Sequence, residues 1–238
     1  MIKALFFDLD GTLLPIDMDE FLKGYMHELF TFCAPFSSYD DIKKAIWAGY
    51  QYMLTDVTPD TTAEEKFYER FYKVSGLDNS IQPALESFYA TKFDIVESFV
   101  RERPQAPAII RLAKQKGYRL ILATNPVLPE VALDKRLRWA GLNRNDFEFI
   151  SQFEEMHFCK PNLQFFTEIL EKTGLQACEC VMIGNDAQED LVAQKLGFET
   201  FFCTEFGINR DEGEILGAQG GYDELYQYIE ALPEVIIK

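Results

Sequence analysis

Two carboxylates, Asp8 and Asp10, end an apolar run and are followed at once by Gly11 and Thr12. A second acidic group, Gly184-Asn185-Asp186 with Asp190 beyond it, again directly follows an apolar run. Carboxylates brought together repel, and at an effective dielectric of about 20 each close pair costs roughly 4 kcal/mol. Their convergence therefore demands a cation. Hard oxygen donors without histidine or thiolate select Mg²⁺ over zinc, and Mg²⁺ characteristically bridges protein carboxylates to substrate phosphate. Two further polar sets stand where strands should end: Thr124-Asn125, and Lys160 before Pro161. Lys160 adds a fixed positive charge, and the Thr124 hydroxyl with nearby backbone N–H groups can hold phosphate oxygens. That combination suits phosphoryl transfer, in which catalysis is mainly positioning and charge neutralisation.

Each residue also has an ordinary reading. Asp-x-Asp-Gly after a strand is commonly a solvated turn. Asp190 fits the first turn of a helix as a favourable charge, Thr124 is a β-branched strand residue, Asn125 forms turns, and a lone lysine is usually a surface cation. The order of the four groups along the chain favours chemistry over these readings. An EF-hand loop is excluded, because its sixth position needs glycine and, counted from Asp8, holds Leu13. His27 and His157, the only histidines, sit in no metalloprotease, zinc-finger or triad pattern.

These side chains need a scaffold. The opening run from Lys3 to Asp10 reads as a short strand buried on both faces, with its polar residues at the C-terminal end. From Asp17 to Val100 the spacing turns helical and aromatic, and Pro35, Pro59, Gly76 and Pro83 divide it into about four helices. Thr61-x-x-Glu64 or Thr62-x-x-Glu65 offers a capping box. After Pro104 and Pro107 the rhythm is helix (108–116), strand (119–123), helix (131–139), strand (147–150), helix (162–172), strand (180–183), helix (189–196) and strand (199–203). Such alternation builds a parallel sheet, and ligands gather at the carboxyl ends of its strands. The stretch Gly217 to Gly221 reads as a loop, and 222–232 as a last surface helix. The expected fold is α/β: a Rossmann-like three-layer core (1–15 and 101–238) with an all-helical cap (16–100).

Asp8-x-Asp10-Gly11-Thr12 after an apolar strand, then Thr124, then Lys160-Pro161, then an acidic loop after a Gly-ending strand, resembles the four ordered motifs of the haloacid dehalogenase superfamily. The resemblance spans the whole chain, and the helical insert lies where that family carries its C1-type cap. It implies that Asp8 attacks phosphorus to form an aspartyl-phosphate and that Asp10 protonates the leaving group and then deprotonates water. It also implies that Mg²⁺ rests on Asp8, the main-chain carbonyl of Asp10, and Asp186. The fourth motif departs from the commonest form and admits two alignments, placing either Asp186 or Asn185 at the metal. A carboxylate binds Mg²⁺ better than an amide, which favours Asp186, with Asn185 and Asp190 in support. The cap is expected to open for substrate and to close against bulk water, hinged near Leu14–Ile16 and Arg103–Pro107.

A net charge of −16 argues against a phosphate-backbone partner, so no nucleic acid is expected. An acidic enzyme still accepts a small phosphorylated metabolite where a metal and a few cations reverse the potential locally. Five scattered cysteines without a CxxC pair indicate neither a disulfide framework nor a zinc site, which fits a reducing cytoplasm. The N-terminal apolar run is too short for a membrane span. The expected activity is a Mg²⁺-dependent phosphatase. A phosphomutase differs only in the acceptor that the aspartyl-phosphate meets. A haloacid dehalogenase needs no second Asp, so Asp10 speaks against it. A receiver domain would be half as long and lack the insert. Both carboxylates, Asp8 and Asp10, argue against a non-catalytic binding protein.

Overall fold

The computed structural model describes residues 1–101 and 105–235. In chain order the elements are β1 (Ala4–Phe7), α1 (Met18–Cys33), α2 (Tyr39–Thr55), α3 (Ala63–Ser75), α4 (Gln82–Thr91), α5 (Ala106–Gln115), β2 (Arg119–Leu122), α6 (Glu130–Trp139), β3 (Phe149–Ile150), α7 (Leu163–Thr173), β4 (Cys180–Gly184), β5 (Glu199–Cys203), β6 (Ala218–Gly220) and α8 (Tyr222–Ala231). The strands form one six-stranded sheet in the order β3-β2-β1-β4-β5-β6, every pair parallel.

Alternation along β1 fills both faces of this sheet. Leu5 and Phe7 join a core that includes Ile109 of α5, Leu133 of α6 and Ile229 of α8. Ala4 and Phe6 join another with Phe165 and Ile169 of α7. Helices on both faces make three layers and explain why β1 is apolar throughout rather than alternating. From β1 the chain winds outward through β2 and β3, then returns to the other side of β1 for β4 to β6. The β1/β4 neighbours are therefore the topological switch point, where a crevice opens beyond the strand ends.

Three expectations need correction. The opening strand stops at Phe7, because residues 8–14 fold into a turn in which Gly11 N–H donates to Leu14 O (2.8 Å) and Leu14 N–H to Leu9 O (2.8 Å). Gly11 sits at φ +82°, and a Cβ there would lie 2.2 Å from Asn185 Nδ2, so both conformation and space require glycine. The expected helix at 189–196 is a 3₁₀ segment over Leu191–Leu196, with Asp190 just ahead of it. The stretch read as a loop at 217–221 contains β6, an edge strand held on β5.

Helices α1 to α4, followed by a 3₁₀ segment at Phe93–Phe99, occupy the insert between β1 and β2. Thr62 and Glu65 form the capping box of α3, the second of the two registers that the sequence allowed. The chain enters and leaves the insert side by side, with an antiparallel bridge between Ile16 and Val100 and a bond from Arg101 N–H to Pro15 O (3.0 Å). Arg103 and Pro104, part of the second expected hinge, lie outside the described residues. Among the described residues no helix is long and apolar enough to cross a membrane.

Candidate active site

Asp8 follows the last residue of β1, and its N–H is fixed on Ile183 O of β4 (2.9 Å). Its Oδ1 accepts from Lys160 Nζ at 2.9 Å, and the same ammonium donates to Asp190 Oδ1 at 2.6 Å. Lys160 is 1% exposed and Asp190 equally so. Burial works against the lysine's charge, but Asp190 and Asp8 together outweigh it and hold the ammonium above its ordinary range. Burial pushes Asp190 up while Lys160 pulls it down. Asp190 Oδ2 also accepts from Asp186 N–H (3.0 Å), so this carboxylate fixes the lysine on one side and the β4 loop on the other. Gly184 leaves room for it, since a Cβ there would fall 2.1 Å from Asp190 Oδ2.

The two candidates for the metal position after β4, Asn185 and Asp186, both border the cavity but differ in their partners. Asn185 turns onto the first loop, accepting from Thr12 Oγ1 (3.2 Å) and donating to Phe206 O (2.7 Å). Asp186 borders the cavity that also receives Asp8 and Asp10. Its Oδ1 accepts from the N–H groups of Gln188 and Glu189 (3.0 Å each), and Arg210 pairs with both carboxylate oxygens (2.9 and 2.6 Å). Asp10 is paired through Oδ2 with Arg136 of α6, while its buried Oδ1 has no hydrogen-bond partner among the described residues. Burial pushes Asp10 up; Arg136 opposes this and Asp8 adds to it.

Thr124 follows β2 and is buried at the cavity, and its carbonyl accepts from Ser151 Oγ (2.6 Å). Asn125 also borders the cavity, but its amide is engaged: Oδ1 accepts from Lys160 N–H (3.2 Å) and Nδ2 donates to Glu189 Oε2 (3.1 Å). The cavity, of about 700 Å³, lies beyond the ends of β1 and β4 and is also lined by Met18, Leu22 and Tyr50 of the insert. Seven of the eight sequence candidates thus line one crevice, and the eighth, Lys160, is bonded to two of them, Asp8 and Asp190. Arg136, Arg210, Glu189 and Tyr50 join them without having been anticipated.

Among the described residues no three His, Cys, Asp or Glu side chains form a metal cage. That does not disfavour Mg²⁺, which is commonly held by one or two carboxylates, substrate phosphate and water. Asp8 and Asp186, from adjacent strands and with only oxygen donors to offer, are a donor set of that hard kind.

The chain is 25% identical over 203 residues to glyceraldehyde 3-phosphate phosphatase of Methanothermobacter thermautotrophicus, a match covering 81% of this chain and 80% of that protein. Two solved structures share the fold. One is 2-haloacid dehalogenase of Pseudomonas syringae pv. Tomato (20% identical, TM-score 0.58, covering 97% of this chain and 99% of that one). The other is a haloacid dehalogenase-family enzyme of Bacteroides thetaiotaomicron, solved with magnesium and inorganic phosphate (20%, TM-score 0.54, 89% and 98%). With the family model for haloacid dehalogenase-like hydrolases matched over residues 2–197, the chain belongs to that family.

Proposed function

We propose that this hydrolase is a Mg²⁺-dependent phosphatase that cleaves a small phosphorylated metabolite through an aspartyl-phosphate on Asp8. The observation that carries the reading is the Lys160 ammonium shared between Asp8 (2.9 Å) and Asp190 (2.6 Å) at the β1/β4 switch point. A carboxylate oriented this way keeps its other oxygen for attack, and the permanent charge beside it offsets the approach of an anionic phosphoryl group. The phosphatase relative supports the same class.

In the reaction, an Asp8 oxygen bonds to phosphorus as the bond to the leaving oxygen breaks, and Asp10 delivers a proton to that oxygen. Asp10, now ionised, takes a proton from water, the hydroxide attacks phosphorus, and the Asp8–phosphorus bond breaks to release inorganic phosphate. Thr124 and Lys160 hold the phosphoryl oxygens, and Asn125 serves by fixing the Lys160 main chain. Asp8, the Asp10 carbonyl and Asp186 would hold Mg²⁺, whose chemistry there is neutralisation of phosphoryl charge. The insert, residues 16–100, acts as the cap over a core of 1–15 and 101–238, and its side chains select the leaving group.

The test is release of inorganic phosphate from a panel of phosphorylated metabolites, with Mg²⁺ and with chelator, for wild type, Asp8→Asn and Asp186→Asn. Expected are Mg²⁺-dependent release, its abolition in Asp8→Asn, and a raised Mg²⁺ requirement in Asp186→Asn. Undiminished turnover by purified Asp8→Asn would overturn the mechanism.

A further inference from the structure

Arg136 is an arginine on the buried face of a helix. It lies among Ala132, Leu133, Leu137 and Ala140, is 2% exposed, and reaches across to Asp10 Oδ2. Its Nε donates to Ala132 O one turn back (3.3 Å), which fixes the guanidinium relative to the α6 backbone. The helix is itself anchored: the adjacent Lys135 donates to Ala90 O (3.0 Å) and Asp94 Oδ2 (2.7 Å) of the insert.

We infer that Arg136 is a positioning residue that orients Asp10 for proton transfer to the leaving group. A protonated carboxyl carries one O–H. Oδ2 is occupied in accepting from a guanidinium that always donates, which leaves Oδ1, buried and without a partner among the described residues, as the oxygen to carry the proton. Without Arg136 the carboxyl is free to rotate, and both the proton and its direction lose definition. The inference rests on the reading of Asp10 as the general acid and extends it to the residue that aims it.

Leaving-group dependence tests this, because p-nitrophenolate departs without a proton whereas an alkoxide does not. The quantity measured is kcat/KM for p-nitrophenyl phosphate and for the best alkyl phosphate of the panel, in wild type, Arg136→Met, Arg136→Lys and Asp10→Asn. A positioned acid contributes about 100-fold or more; Arg136→Met is expected to lose at least about 30-fold on the alkyl ester and less than about 3-fold on the aryl ester. Asp10→Asn should show the same selectivity more strongly, and Arg136→Lys should recover part of the alkyl rate. A burst of p-nitrophenolate should then mark slowed hydrolysis of the aspartyl-phosphate. Equal losses on both esters, or none, would overturn the role of Arg136. Absence of selectivity in Asp10→Asn would instead overturn the reading beneath it. If Arg136→Met does not fold, the same ratio in Arg136→Lys decides the matter.

Discussion

Lys160 is shared by Asp8 and Asp190, Arg136 serves Asp10, and Arg210 serves Asp186, so each of these four aspartates has a cation beside it. Glu189, which also lines the crevice, makes no direct ion pair among the described residues. It takes a hydrogen bond from Asn125 Nδ2, and burial lifts its carboxyl above the ordinary 4.5, with Asp186 and Asp8 pushing the same way and Lys160 against. A carboxyl raised in the folded state stabilises the fold below its unfolded pKa, and that contribution is lost as pH rises through the folded value. Glu189→Gln keeps an oxygen for Asn125 and removes the titration. It should therefore raise the melting temperature at about pH 8 and leave it unchanged at about pH 4; equal shifts at both would contradict the assignment. Asp8 and Asp10 were legible because the chain itself puts them after an apolar run, and Lys160 because it stands before Pro161 at a helix start. Arg136 and Arg210 were not, since each meets its carboxylate only through the fold. Arg136 did leave a trace: a permanent charge three and four residues from Leu133 and Ala132 on an otherwise apolar helix face needs a buried partner.

Among the elements, the β1 end and the β4 end form one structure, because the turn after β1 lies against the loop after β4. Gly11 sits at this contact, at φ +82°, and a Cβ added there would lie 2.2 Å from Asn185 Nδ2. Gly11→Ala meets both a left-handed backbone penalty and a clash with a side chain held by Thr12 and Phe206. A loss of more than about 2 kcal/mol in urea denaturation is expected, together with a fall in turnover as Asn185 is displaced. A loss under about 0.5 kcal/mol would mean that the turn relaxes freely. Most of the helix and strand order was readable, because glycines close α3, α7 and the 3₁₀ segment in the left-handed conformation. β6 escaped because Ala-Gln-Gly has no strand composition and is held by its pairing with β5 alone. The 3₁₀ segment at Leu191–Leu196 has helical apolar spacing, but Asp190 just ahead of it is held by Lys160 and Asp186 N–H and starts it in a tighter geometry.

At the scale of the molecule, the insert is tied to the loop that carries Lys160. The first N–H groups of α3, from Ala63 and Glu64, donate to Met156 O (2.7 Å) and Phe153 O (3.1 Å), and Asn162 Nδ2 donates to Leu54 O (2.7 Å). Lys66, 1% exposed, spreads its ammonium over Asp56 O (3.0 Å), Thr58 O (2.7 Å) and His157 O (2.8 Å). Met53, Ala63, Phe153 and Cys159 bury a common apolar patch beneath these bonds. Such ties oppose a hinge that moves the insert independently of the core, and they predict that insert and core open as one cooperative unit. Lys66→Met keeps the apolar stem and strands three carbonyls, which should cost about 2 to 4 kcal/mol of global stability. Native-state hydrogen exchange distinguishes the two pictures. If insert and core are one unit, protection of the α3 and β4 amides falls together in Lys66→Met. If α3 alone loosens while β4 keeps its wild-type protection, the insert is a separate lid and Lys66 is only its local fastening.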